Sequence, residues 1–287
     1  ITNKKPKPAN VVMYESGDTA CENIIMAASL IPGITTIKFT SSNYMVQELC
    51  FFLQKIGIKI EGVGSTTLVI HGVKEINQNV EYHNSEDPIE SMMWITAGIV
   101  TNSKLEIKRC PIDFLELELY KLKKMGLKFP LSKIYKSKNG NTNLADLIIY
   151  PSKLKALEDK IESRPYPGLN IDNLPFFGLI ASCAKGRTLI HDWVYENRAI
   201  YLTELNRLGA TVLLADPHRV YVEGPTVFKP AQVMCPPALR PSVVIMLAML
   251  ASPGTSILRN VYMIHRGYED IVKRLNKIGA KIKAIED

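Results

Sequence analysis

The chain lacks a run of apolar residues long enough to cross a bilayer. Its longest, Val243 to Ala251, falls far short of the ~20 residues that a membrane helix needs. No apolar core of a secretory leader appears near the start. Five cysteines (Cys21, Cys50, Cys110, Cys183, Cys235) are odd in number, scattered and never spaced as a CxxC pair. That excludes a disulfide framework and a zinc ribbon, and it points to a reducing, cytoplasmic setting. The five histidines are equally dispersed, so no metal site is expected. Aromatic residues are only 8% of the chain, and no RNA-binding aromatic signature is present. The net charge of +7 comes from lysines spread along the chain. It suits a small, multiply anionic substrate, with nucleic acid the less favoured partner and a membrane excluded. The first residue is Ile1, not Met, so the chain need not be the whole gene product.

What the chain has is repetition. The tripeptides Lys55-Ile56-Gly57, Lys124-Met125-Gly126, Arg207-Leu208-Gly209 and Lys277-Ile278-Gly279 recur roughly 70 to 80 residues apart. Each reads as the end of an amphipathic helix with glycine as its stop. Upstream of each stop lies a short β-branched strand, preceded by an almost wholly apolar helix: Thr19 to Leu30, Ile89 to Val100, Leu174 to Ala184 and Pro241 to Leu250. The spacing predicts βαβαββ units, an α/β fold of α+β type. Helices apolar all round should be buried together and walled by sheets. The predicted strands are Thr35 to Phe39, Leu105 to Arg109, Thr188 to Trp193 and Thr255 to Val261. The outer helices are predicted over Asn43 to Ile56, Ile112 to Met125, the stretch ending at Leu208, and Tyr268 to Ile278. Ile58 to Val63 and Thr66 to Val73 read as a hairpin. Lys136 to Asn143 reads as an exposed loop or hairpin tip, and the polar stretch Asn77 to Asp87 as a boundary. Residues 1–76 are therefore expected to form one repeat of an incomplete first domain, and 77–287 a second domain of three repeats.

Four polar junctions at the starts of predicted helices carry the candidate chemistry. Arg164-Pro165-Tyr166-Pro167-Gly168-Leu169-Asn170-Ile171-Asp172 is a rigid turn ending in a carboxylate. Capping alone would explain Asp172. Tyr195-Glu196-Asn197-Arg198, Pro237-Ala238-Leu239-Arg240-Pro241 and His265-Arg266-Gly267-Tyr268-Glu269 each bring an arginine. Cations run against the dipole at a helix start, and such conflicts are expected at functional sites. Each arginine could pair locally, as Arg198 with Glu196 or Glu204. Three that converge would bind phosphate and carboxylate.

These four signatures, in this order, resemble the UDP-N-acetylglucosamine 1-carboxyvinyltransferase family of enolpyruvyl transferases, from about Asn10 to the end. The resemblance implies an inside-out α/β barrel with six repeats in two domains, of which this chain shows four. It implies enolpyruvyl transfer from phosphoenolpyruvate to the 3-hydroxyl of UDP-N-acetylglucosamine, the committed step of peptidoglycan synthesis, through a tetrahedral ketal. No metal or organic cofactor is implied. Asp172 falls on the catalytic aspartate that takes the hydroxyl proton. Arg240 and Arg266 fall on arginines that hold the phosphate and carboxylate of phosphoenolpyruvate. Arg198 falls on the arginine of the Glu-Asn-Arg motif, with Glu196 and Asn197 beside it as substrate-binding residues. Ser16, Gly17, Asp18 and Thr19 fall on the loop that contacts the nucleotide.

The chain departs from the family pattern at several places. Gly17 or Ser16 stands for the nucleotide-loop serine, Ile171 for a threonine and Pro88 for an arginine. The front of the first domain, with its general-acid cysteine loop, has no counterpart, and Cys110 lacks that loop's context. The chain is thus expected to be the C-terminal two-thirds of the enzyme, as a fragment or as one part of a split protein. The alternatives are a non-catalytic relative that binds a nucleotide sugar, RNA or a protein, and a shikimate-pathway enolpyruvyl transferase.

Overall fold

The computed structural model describes residues 5–285. The first unit runs β1 (Asn10–Val12), α1 (Asp18–Ser29), β2 (Gly33–Lys38), α2 (Tyr44–Lys55), β3 (Lys59–Glu61) and β4 (Thr67–Gly72). β1 is parallel to β2, β4 is antiparallel to β2 and β3, and the sheet order is β1-β2-β4-β3. Next come α3 (Pro88–Val100), β5 (Leu105–Pro111), α4 (Glu116–Met125), β6 (Tyr135–Lys136) and β7 (Asn143–Ile149), with sheet order β5-β7-β6. Then β8 (Ile161–Glu162), α5 (Leu174–Cys183), β9 (Gly186–His191), β10 (Thr211–Asp216) and β11 (Arg219–Gly224) give β8-β9-β11-β10, the arrangement of the first sheet. Finally β12 (Gln232–Met234) pairs in parallel with β13 (Ile257–Arg259) across α6 (Leu239–Ala251), followed by α7 (Tyr262–His265) and α8 (Ile271–Lys277).

The α/β architecture expected from the sequence is present. Alternation puts Thr35 and Ile37 of β2, Leu68 and Ile70 of β4, Thr188 and Ile190 of β9, and Val220 and Val222 of β11 on inner faces. α3, α5 and α6 pack on one another and are buried almost all round. α1 buries only Cys21, Ile25, Ala28 and Ser29. Two separate apolar clusters result. One spans Met13 to Ile70 and the other Ile89 to Leu275. Between β4 and α3 lies a stretch without helix or strand. Among the described residues no helix is long and apolar enough to cross a membrane, and no cluster of acids, histidines and cysteines could hold a metal ion. All five cysteines are free.

The four stop glycines, Gly57, Gly126, Gly209 and Gly279, all take left-handed φ of 90° to 106°, as a helix C-terminus requires. The helices before them differ from expectation. The stretch 112–125 is split, with a 3₁₀ turn at Ile112–Phe114 ahead of α4. Arg198–Leu208 is a 3₁₀ segment. The last helix begins at Ile271, because Asp270 is itself left-handed (φ 47°). The loop between β6 and β7 is not simply exposed. Its Asn139 donates from Nδ2 to Ser85 Oγ (2.8 Å), Glu48 Oε1 (3.2 Å) and Tyr82 Oη (3.3 Å), so the hairpin tip docks onto α2 and the segment that precedes α3.

Candidate active site

The turn that carries Asp172 is built by short-range geometry. Gly168 N–H donates to Pro165 O (2.9 Å) and Arg164 N–H to Leu169 O (3.0 Å). A Cβ on Gly168 would lie 2.4 Å from Arg164 Cβ, so the turn tolerates only glycine there. Asn170 then folds back, its Oδ1 accepting from the Asp172 N–H at 2.9 Å. Asp172 therefore sits just before α5, not within its hydrogen-bonded first turn.

Two arginines flank the carboxylate. Arg198 Nη1 lies 3.8 Å from Asp172 Oδ1, and Arg240 Nη2 lies 3.9 Å from Oδ2. Both guanidiniums are largely buried, with 11% and 15% of the side chain exposed, against 33% for Asp172. Neither gap is a direct hydrogen bond. The carboxylate is thus left with free lone pairs between two cations whose outer N–H groups are available.

Each arginine is held from behind. Arg198 Nε donates to Asp192 Oδ2 at 2.5 Å and Nη2 donates to Ile171 O at 2.7 Å, while its guanidinium lies 4.6 Å from the Tyr195 ring centroid. The local partners suggested by sequence are otherwise engaged: Glu204 with Arg207 and the exposed Glu196 with His218. Arg240 lies in the first turn of α6, where Ser242 Oγ donates to Pro236 O (2.8 Å) and fixes the preceding proline loop. Arg240 Nη1 donates to Tyr268 Oη at 3.1 Å. Burial pushes the Tyr268 hydroxyl up to about 12, against the pull of Arg240, which favours the phenolate. The Arg240 guanidinium is itself held more firmly protonated: burial opposes its charge, but Tyr268, Asp172 and Asp87 outweigh it.

Arg266 is not brought to Asp172. It follows α7 instead of starting a helix, is exposed, and among the described residues its side chain reaches Met263 Sδ at 3.8 Å. At a helix C-terminus a cation no longer conflicts with the dipole. Its loop nevertheless adjoins the site, since a Cβ on Gly267 would lie 2.4 Å from Leu239, the neighbour of Arg240. Asn197 is exposed and left-handed (φ 55°), and makes no side-chain cap.

The Ser16 to Thr19 segment reaches Asp172 through a relay of side chains. Ser16 Oγ donates to Phe39 O (3.0 Å), Gly17 caps α1, and Thr19 is exposed. Asp18 accepts from Ser41 Oγ (2.5 Å) and from Asn43 Nδ2 (2.9 Å). Asn43 Oδ1 in turn accepts from Asn170 Nδ2 at 3.4 Å. Ser42 Oγ donates to Tyr166 O at 3.3 Å. The site thus lies between the two apolar clusters. Asn43 and Asp192 lie outside the motifs read from the sequence, and Asn170 and Tyr268 stand within them without a role of their own. Asn43 reads there only as a helix start.

Comparisons with known proteins bear on the family and the fold. The pattern of the family described as EPSP synthase (3-phosphoshikimate 1-carboxyvinyltransferase) matches residues 1–275. The UDP-N-acetylglucosamine 1-carboxyvinyltransferase of Treponema denticola is 35% identical, over 96% of this chain and 64% of its own length. That of Nitratiruptor is 34% identical, over 98% and 64%. The enolpyruvyl transferase NikO from Streptomyces tendae superposes with a TM-score of 0.81 at 27% identity, over 96% of this chain and 65% of its own. EPSP synthase from Acinetobacter baumannii shares the fold, with a TM-score of 0.79 at 16% identity. The chain spans about 64% of the length of the curated relatives it matches. On the match of residues 1–275, the chain belongs to the EPSP synthase family of enolpyruvyl transferases.

Proposed function

We propose that this chain supplies the main active-site residues for transfer of the enolpyruvyl group from phosphoenolpyruvate to the 3-hydroxyl of UDP-N-acetylglucosamine, with release of phosphate. The observation that carries the reading is the Asp172 carboxylate between Arg198 and Arg240, at 3.8 and 3.9 Å. Asp172 takes the proton as the sugar oxygen bonds to C2 of phosphoenolpyruvate, a role that demands free lone pairs within hydrogen-bond reach. The C2–C3 π electrons accept a proton at C3, giving the tetrahedral ketal. Loss of a C3 proton then expels phosphate and restores the double bond. Arg240 and Arg198 hold the phosphate and carboxylate through their outer N–H groups, and Arg266 joins them when its neighbouring loop closes over bound substrate. Ser16 to Thr19, with Glu196 and Asn197, bind the nucleotide sugar.

UDP-N-acetylglucosamine is favoured over a shikimate substrate because the curated relatives named for it are 31–35% identical. EPSP synthases of known structure are 15–16% identical. We also infer a domain boundary near residue 77, between the two apolar clusters, so that substrates bind in the seam. The C3 proton donor is assigned to a part equivalent to the unmatched third of the relatives, in the same or another chain. Free, mostly buried cysteines and these substrates fit a cytoplasmic protein.

The test is phosphate release from phosphoenolpyruvate with UDP-N-acetylglucosamine, for this chain alone and with the remaining third supplied. Asp172→Asn should lower kcat by about 100-fold or more, the scale of lost general-base catalysis. No phosphate release in any folded mixture would replace this reading with that of a non-catalytic binder.

A further inference from the structure

We infer that Glu118, on α4, is a positioning residue that sets the location of the Asp172 carboxylate; this rests on the functional reading above. Glu118 is 2% exposed. Lys121, one turn along the same helix, exerts only a minor pull on it, and Glu118 makes no ion pair among the described residues. Its two polar partners are both neutral and both meet one oxygen. Oε1 accepts from the Asn170 N–H at 3.2 Å and from Asn173 Nδ2 at 2.8 Å.

Those two residues bracket Asp172. Asn173 N–H donates to Asn170 O (3.0 Å), and Asn170 Oδ1 accepts from the Asp172 N–H, so the four residues form a closed turn. One carboxyl oxygen on α4 tethers both ends of it. The same stretch also steadies the turn upstream. Tyr166 Oη donates to Asp113 O (3.2 Å), and its ring lies 5.4 Å from that of Phe114. The 112–118 stretch is therefore the platform on which the whole segment from Tyr166 to Asn173 is set.

A buried acid without a cation is a costly way to fill a core position. Leucine would fill the space but leave the buried Asn173 amide and the half-buried Asn170 N–H unmatched. Glutamine would serve as the glutamate does, because a single carbonyl oxygen is all the geometry asks for. A displacement of about 1 Å at a catalytic group can cost on the order of 100-fold in rate.

The experiment compares Glu118→Leu and Glu118→Gln with the unaltered protein, by amide hydrogen exchange and by turnover with the remaining third supplied. In Glu118→Leu the amides of Asn170 and Asp172 should exchange at least about 10-fold faster, with Ile180 in α5 unchanged. kcat should fall about 100-fold while KM for phosphoenolpyruvate stays within about threefold. Glu118→Gln should restore both exchange and kcat to within about threefold. Full kcat in a folded Glu118→Leu variant overturns the proposal, as does unchanged exchange at Asn170. If Glu118→Leu does not fold, a 100-fold loss of kcat in a folded Glu118→Gln variant overturns it. Absence of turnover in the unaltered protein would instead sink the functional reading, and exchange at Asn170 alone would then decide the role of Glu118.

Discussion

At the scale of single residues, burial and charge oppose each other most sharply at Glu118. Burial raises its pKa above the usual glutamate value, against the smaller pull of the hydrogen bonds from Asn173 and Asn170. The folded state then binds the proton more tightly than the unfolded state. The stabilisation this gives is complete below the unfolded value of about 4.5 and is lost as pH rises through the folded one. Glu118→Gln removes the titration. Its stability relative to the unaltered protein, read from urea unfolding, should therefore grow as pH is raised from about 4.5 towards neutrality. A pH-independent difference would show that Glu118 does not titrate on folding. Sequence could not single out this residue, since Glu116, Glu118 and the lysines after them look like an ordinary exposed helix face. Asp172 and Arg240 stood out because charge lay close to proline at a helix start, and Arg198 because it closed a polar junction at the start of an expected helix. Arg198 shows the limit of that reading: its partner is Asp192, directly after β9, and neither Glu196 nor Glu204 is used. Asn43 and Asn170 are 127 positions apart and meet only in the fold.

At the scale of elements, the four stop glycines make the strongest link between sequence and structure. Gly209 has φ of 90°, and a Cβ there would lie 3.3 Å from Val227 O. Gly209→Ala should cost roughly 1–2 kcal/mol, the usual penalty of a left-handed conformation for an L-residue. Gly209→Asn should recover part of that loss, because asparagine enters this region more readily. Equal urea midpoints for the three proteins would refute the argument. Helix positions were legible from periodicity, and all-round burial from apolar composition for α3, α5 and α6 but not for α1, which was expected to be enclosed with them and buries only one side. The type of helix was not. Arg198–Leu208 is wound as 3₁₀ although its sequence would suit an α-helix. Its start is held by Asp192 and Ile171 O on Arg198, a long-range constraint that periodicity does not report. The docked hairpin tip escaped for the same reason, since the partners of Asn139 are 54 to 91 residues away.

At the scale of the molecule, the first unit differs from the others in what it leaves uncovered. α3, α5 and α6 cover one another, whereas among the described residues α1 packs chiefly against α2 and its own sheet. Met26 (46% exposed) and Leu30 (54%) stand on its free side, with Val12, Tyr14, Ile34 and Phe39 also exposed on the same unit. Single exposed apolar residues are ordinary, but several on one unit mark a surface that seeks cover. The topology argues the same way: α1 holds the place in its unit that α5 holds in its own, and α5 is enclosed over all but its last residue. The chain on its own should therefore self-associate and bind an apolar dye. Met26→Glu with Leu30→Lys should suppress both, while leaving helix content unchanged, because neither side chain belongs to the buried cluster beneath. Sedimentation velocity at rising concentration decides the matter. A monomer that binds no dye would mean that the uncovered side of α1 is stable in water as it stands, and that its apolar residues are scattered and not a patch.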